Sequence, residues 1–224
     1  MIKNISNLGD AALYCDFGNE VNKETNSKVI RYFKSIREKK IQEIDNLTPS
    51  YNKLIISFDL KNTNFSKIKK VIENLDLNET ESESSKKIEV PVCCAESLSL
   101  DVERLESKLS LKREKIFENF FNKEYFCYMT GFIAGMPFLG DLDHSLRAKR
   151  LETPRVKVPK GAVGLTEQFA NIYTFESPGG WNIIGNTPIK IFDEKKEKSP
   201  NFINPGDTII FKEISFESYK NFYE

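Results

Sequence analysis

The largely apolar run Ala11-Ala12-Leu13-Tyr14-Cys15-Asp16-Phe17 reads as a first strand, and Gly18-Asn19 ends it. From Asn22 to about Ile41 the spacing lengthens. Val29, Phe33 and Ile36 recur at helical intervals, Ile30 stands beside them, and Lys and Arg fill the opposite face. Two strands are predicted next, Ile41 to Leu47 and Leu54 to Phe58, separated by the turn-forming Pro49-Ser50-Tyr51-Asn52. A second amphipathic helix is expected to bury Phe65, Ile68, Val71, Ile72 and Leu75. The order β-α-β-β-α predicts a small α+β domain with its helices on one side of an antiparallel sheet.

Residues 76–88 are acidic and serine-rich and have too few apolar side chains to bury, so a linker is placed there. The expected division is an N-terminal α+β domain over residues 1–80, the linker and opening strand over 81–90, and a second domain over 91–224. A strand runs from Ile88 to Cys93. Two short helices follow, Leu98 to Leu109 (Val102, Leu105 and Leu109 inward) and Lys112 to Phe121 (Ile116, Phe117, Phe120 and Phe121 inward). From Tyr125 onward helical periodicity disappears. Short β-like runs are punctuated by Gly131, Gly135-Met136-Pro137, Gly140, Pro159-Lys160-Gly161, Gly185 and Pro205-Gly206-Asp207, which predicts a barrel or sandwich. Within it, Ser177-Pro178-Gly179-Gly180-Trp181 reads as a tight turn behind which the only Trp stands, followed by strand-like Ile183-Ile184 and Ile189 to Phe192. Such a turn serves packing or a close approach of backbone to a ligand.

At 224 residues the chain has room for one large or two small domains, and 17 Phe supply core area. Thirty-three basic and 33 acidic residues cancel, so no global field draws nucleic acid or an anionic membrane. The four cysteines (Cys15, Cys93, Cys94, Cys127) form no Cys-x-x-Cys pair and His144 is the only His, which argues against a zinc site. The N-terminus has no apolar signal region and no window approaches a membrane span, so a cytoplasmic location with reduced thiols is expected. Neither a Gly-x-Ser-x-Gly elbow nor a P-loop occurs. His144 lies in Asp141-Leu142-Asp143-His144, which reads as a polar surface loop, the aspartates serving as turn residues. Arg150 and Arg155, on either side of Pro154, are suited to presenting guanidinium groups to a carboxylate or phosphate, or else to a surface salt bridge.

The spaced positions Gly131-Phe132, Phe138-Leu139-Gly140, Thr153-Pro154-Arg155, Val158-Pro159, Gly161, Val163-Gly164, Ile172-Tyr173, Ser177 to Trp181, Ile184-Gly185, Ile191-Phe192-Asp193 and Pro205-Gly206-Asp207, with Gly9 to Leu13 near the start, resemble the B subunit of 5-oxoprolinase. That family also contains allophanate hydrolase subunit 1 and a sporulation-kinase inhibitor, and the resemblance covers about residues 8–212. It implies an N-terminal α+β domain and a C-terminal cyclophilin-like β-barrel. It also implies a homologous C subunit as partner, an A subunit, and ATP-dependent opening of 5-oxoproline to glutamate, with this chain inactive alone. By that analogy Arg155 is catalytic, and Gly131, Phe132, Phe138, Ser177, Gly179, Gly180 and Trp181 bind substrate. No metal is implied.

The resemblance leaves two other roles open: half of a urea- or allophanate-type biotin-dependent carboxyltransferase or amidohydrolase, and a non-catalytic inhibitor of a histidine kinase. Several positions depart from the family pattern. Ala134-Gly135-Met136-Pro137-Phe138 replaces a Pro-Gly-aromatic core, and Glu167 to Asn171 replaces a Gln-Thr-Gly loop with bulkier residues. Asn186 stands where a basic residue is usual and Phe120 where a histidine is common, and a Gly-Pro-Asp-Leu segment is absent around Ser97 to Asp101. Either the substrate differs or the site is degenerate.

Overall fold

The computed structural model describes residues 1–77, 85–197 and 199–222. They belong to two compact units, Met1–Ser84 and Ser85–Glu224.

In the first unit, β1 (Asn4–Asn7), β2 (Ala12–Asp16), β3 (Ile44–Pro49) and β4 (Lys53–Phe58) form an antiparallel sheet of order β1-β2-β4-β3. Alternation turns Leu13, Cys15, Leu54, Ile56 and Phe58 to one face. There they share a core with Val29 and Ile36 of α1 (Lys23–Lys39) and with Ile68 and Ile72 of α2 (Phe65–Glu73). Both helices begin at an asparagine whose side-chain oxygen accepts an orphan backbone N–H: Asn22 from Thr25 at 2.8 Å and Asn64 from Lys67 at 3.1 Å. α1 ends where Lys40 turns left-handed (φ 45°, ψ 48°). Val71, expected inward, is 41 % exposed. It falls at the margin of the stripe set by Phe65, Ile68, Ile72 and Leu75. The edge strand β1 carries no strand signal in sequence, since Asn-Ile-Ser-Asn has one apolar position.

Residues 78–84, within the expected linker, lie outside the described residues, and from Lys87 the chain is strand. The second unit is built on a closed barrel of β5 (Lys87–Cys93), β6 (Glu124–Thr130), β7 (Pro137–Gly140), β9 (Ala162–Thr166), β10 (Phe169–Ile172), β12 (Asn182–Asn186) and β13 (Thr208–Ile214). Strands β5 and β13 pair in parallel; the other barrel pairings are antiparallel. The remaining two strands, β8 (Arg155–Val158) and β11 (Ser177–Gly179), form a separate ribbon. Helices α3 (Val102–Leu109) and α4 (Arg113–Phe121) pack on the barrel core, where Phe120 stacks on Phe211 at 4.8 Å. The mixed α+β class and the barrel are those expected from sequence.

Three local expectations fail in this unit. Ser177-Pro178-Gly179 is a bulged strand and not a tight turn: it pairs with β8, a partner distant in sequence that local composition does not reveal. Ile189 to Phe192 is not a strand; only Phe192 forms an isolated bridge, with Asn201. Helix returns after β13 as α5 (Phe216–Asn221), which buries no residue and so shows no apolar stripe, but is capped by Ser215 accepting from the Ser218 N–H at 3.1 Å.

Candidate functional site

Alternation along the barrel strands sorts side chains to two sides of the wall. Val163, Leu165, Ala170, Ile172 and Ile184 point into the barrel core. Their neighbours Ala162, Tyr173 and Ile183 point outward, where with Met136 and Val158 they make a second, smaller apolar cluster edged by Ile133 and Trp181. The pairing register aligns Phe138 with Asn171, Asn171 with Gly164, and Gly164 with Ile183, a row across four strands. The site read from sequence gathers on this outer face, next to the β8–β11 ribbon.

Arg155 opens β8 opposite Gly179. Its Nη2 donates to Asp101 Oδ1 at 2.6 Å, and the two side chains are 28 % and 4 % exposed. Asp101 precedes α3 and its carbonyl accepts the Leu105 N–H at 2.9 Å, yet its carboxylate caps nothing in that helix. Instead Oδ2 accepts the buried Ile183 N–H at 2.7 Å, while the Asp101 N–H donates to the Ile183 carbonyl at 3.0 Å. One carboxylate thus ties the arginine to the barrel wall. Charge-assisted bonds of this kind are short and directional, so Arg155 is held with Nη1 buried and without a hydrogen-bond partner.

Tyr173 stands at the centre of the group, 1 % exposed. Burial pushes its phenol above the usual range, opposed by the Asn171 amide, the Trp181 N–H and the Arg155 charge. A β-carbon at Gly179 would come within 2.1 Å of the Tyr173 hydroxyl, so only glycine permits this approach. Ser177 Oγ is buried and unpartnered. Asn171, 0 % exposed, places its Nδ2 4.0 Å from Met136 Sδ, while its Oδ1 has no partner. Trp181 meets Phe138 edge to face, ring centroids 5.6 Å apart.

Of the residues singled out from sequence, Arg155, Phe138, Ser177, Gly179 and Trp181 are therefore brought together. Phe132 lies beside them in the Gly131–Met136 turn, 74 % exposed and left-handed at φ 68°, next to Ile133 of the same cluster. The Gly131 N–H is given to the Met136 carbonyl at 3.0 Å within its own turn, and the Gly180 carbonyl accepts from the Leu151 N–H at 2.7 Å. Arg150 is exposed, and the expected pair of presented guanidiniums reduces to Arg155 alone. His144 is exposed as expected, and Asp143 Oδ1 accepts from the Ser145 N–H and hydroxyl, the turn chemistry read from sequence. Asn186 is buried, accepting from the Tyr219 hydroxyl and donating to the Lys160 carbonyl, both at 2.9 Å. Among the described residues no group of three or more His, Cys, Asp or Glu side chains could hold a metal ion.

Sequence reasoning does not find Asp101, Asn171 or Tyr173 as site residues. The stretch around Ser97 to Asp101, notable in sequence only for lacking a family segment, supplies the partner of Arg155. A lone Asn inside the apolar run Phe169-Ala170-Asn171-Ile172 is the available signal for Asn171.

The sequence pattern of the carboxyltransferase domain, subdomain C and D, matches residues 3–203. The chain belongs to this family. Over 232 aligned residues it is 29 % identical to the 5-oxoprolinase B subunit of Bacillus subtilis (strain 168), covering 98 % of this chain and 96 % of that one. The 5-oxoprolinase B subunit of Haemophilus influenzae is 38 % identical over 124 residues, 55 % of this chain and 58 % of that protein. Among solved structures, TTHA0988 superposes with a TM-score of 0.82 at 26 % identity over 92 % of this chain, which spans 40 % of that longer chain. A stretch making up 15 % of the Kluyveromyces lactis urea amidolyase superposes on 97 % of this chain with a TM-score of 0.79 at 18 % identity, a likeness of fold alone. Among the described residues no helix is long and apolar enough to cross a membrane.

Proposed function

We propose that the chain is one subunit of an ATP-dependent 5-oxoprolinase, opening 5-oxoproline to glutamate together with a homologous C subunit and an A subunit, and inactive alone. The observation that carries this reading is the end-to-end similarity to the B subunit of the Bacillus subtilis 5-oxoprolinase, with 96 % of that relative covered. The site agrees chemically. A lactam carbonyl is a poor electrophile; transfer of the γ-phosphoryl group of ATP to its oxygen activates the carbon, water adds there, the ring C–N bond breaks as the nitrogen takes a proton, and a second water releases phosphate from the resulting γ-glutamyl phosphate to leave glutamate. Such a path needs fixed positive charge close to developing negative oxygen. Arg155, clamped by Asp101 with one guanidinium nitrogen unspent, is the residue of this chain suited to that task. ATP is a co-substrate of the complex in this reading, with no nucleotide contact assigned to this chain.

The test is ATP-dependent release of glutamate from 5-oxoproline by the chain co-expressed with its C and A subunits, each omitted in turn. Activity that vanishes without this chain supports the reading. A complex that assembles but releases no glutamate overturns it in favour of another amide, as in the urea- or allophanate-type alternatives. Failure to assemble overturns it in favour of a regulatory module in the cytoplasm, for which kinase inhibition is the assay.

A further inference from the structure

Arg155 Nη1, Ser177 Oγ and Asn171 Oδ1 are buried, have no hydrogen-bond partner and lie in one neighbourhood. A buried polar group without a partner is costly, the more so when charged, so three together are a concentrated liability. They surround Tyr173, which adjoins Gly179 on the ribbon and feels both Arg155 and Asn171. Asn171 and Ile183 flank Gly164 on adjacent strands, and Asp101 bridges from the Ile183 N–H to Arg155. Strands about 4.8 Å apart put Asn171 and Ile183 about 10 Å apart. Between them Gly164 lets Asn171 and Trp181 sit close to the barrel wall, since a β-carbon there would come within 2.8 Å of Asn171 Oδ1 and 3.0 Å of Trp181 Cβ.

The three unpaired groups differ in kind: a cationic donor, a hydroxyl that donates or accepts, and an amide oxygen that only accepts. We infer that they are the recognition groups for a small cyclic amide bearing a carboxylate, with Ser177 donating to the carboxylate, Asn171 Oδ1 accepting the ring N–H and Arg155 Nη1 reserved for the carbonyl oxygen on which charge develops. This inference rests on the proposed 5-oxoprolinase reading and adds Asn171 as a specificity residue. All three atoms are closed off from solvent in the described conformation, so a ligand reaches them when the Gly131–Met136 turn moves. Met136 is the buried residue against the Asn171 amide, and Phe132 beside it is exposed in left-handed backbone.

The experiment uses the purified complex of this chain with its C and A subunits. It measures turnover of 5-oxoproline and competitive inhibition of that turnover by 2-pyrrolidinone, which lacks the carboxylate, and by 3-oxocyclopentane-1-carboxylate, which has CH2 in place of the N–H. Ser177→Ala is expected to weaken 5-oxoproline and the carbocyclic acid about tenfold and to leave 2-pyrrolidinone unchanged, since one hydrogen bond to a charged group is lost. Asn171→Ala is expected to weaken 5-oxoproline and 2-pyrrolidinone about tenfold and to leave the carbocyclic acid unchanged. Ser177→Ala should melt no lower than the parent chain, because it deletes a hydroxyl that was buried and unpaired. Equal losses for all three compounds, or a lowered melting temperature in Ser177→Ala, would overturn the assignment while wild-type turnover of 5-oxoproline leaves the function standing. Absence of that turnover in an assembled wild-type complex overturns both.

Discussion

Replacing Asp101 tests how the site is held together. Asp101→Ala strands the Arg155 guanidinium, which is 28 % exposed, and removes the acceptor of the Ile183 N–H, a residue 1 % exposed. Breaking a buried ion pair costs about 3–5 kcal/mol, and the partial exposure of Arg155 argues for the lower end of that range. The orphaned N–H adds about 1–3 kcal/mol. A loss of about 4 kcal/mol is therefore expected. For a unit of this size that lowers the calorimetric transition of Ser85–Glu224 by about 14 °C. Arg155→Ala should cost about 3 kcal/mol, because the 4 % exposed carboxylate keeps only the Ile183 N–H. The double variant removes both charges and strands one N–H, so its loss should fall short of the sum by about 2 kcal/mol or more. Asp101→Asn separates the two contacts of the clamp: Asn still accepts from Ile183 but turns a donor toward the guanidinium. It should recover only about 1 kcal/mol of the Asp101→Ala loss, while kcat/KM of the complex falls nearly as far as in Arg155→Ala. Additive single losses, or Asp101→Ala melting within about 2 °C of wild type, would refute the clamp.

Other perturbations read separate features. Lys40→Gly should stabilise the first unit by about 1 kcal/mol in urea denaturation, since Lys40 ends α1 in left-handed backbone that glycine adopts freely. Phe132→Gly relieves the same strain (φ 68°) and removes an exposed ring; the isolated chain should gain about 1 kcal/mol while turnover of the complex falls, and unchanged turnover would remove Phe132 from the site. Gly179→Ala should cost about 1–3 kcal/mol because its β-carbon would lie 2.1 Å from the Tyr173 hydroxyl, and pairing it with Tyr173→Phe should recover part of the loss in thermal melts. Burial raises the Cys15 thiol from 9.0 to about 12, so the unfolded chain releases this proton first. Stability from this group is complete below pH 9 and is lost as pH rises through about 12, at up to about 1.4 kcal/mol per pH unit. All four cysteines are buried, and a chromogenic thiol reagent at about pH 8 should react with them only after denaturation.

What is legible in the sequence follows the range of the interactions involved. β2 and α1 fall within two residues of expectation because Leu13 and Cys15 lie in one apolar run, Val29 and Ile36 recur at helical spacing, and Asn22 caps locally. The barrel is legible through the spaced glycines and prolines and through family resemblance, since its closing contact, the parallel pairing of Lys87–Cys93 with Thr208–Ile214, joins segments more than a hundred residues apart. Ser177 to Gly180 misleads because Pro and Gly punctuate turns and bulged strands alike; what decides is a partner strand beginning at Arg155. The site is half legible on the same ground. Arg155, Ser177 and Trp181 carry motif, whereas Asp101 stands 54 positions from the arginine it clamps, in a stretch marked in sequence only by what it lacks. Asn171 signals itself weakly, as one polar residue in an apolar run. Its meaning comes from the unsatisfied oxygen facing Gly164, which turns an expected crowding of the site into an added hydrogen-bond acceptor. The departures from the family pattern therefore do not mark a decayed site by themselves: at Asp101 the charge needed to hold Arg155 is present, and at Asn171 the added bulk brings chemistry with it.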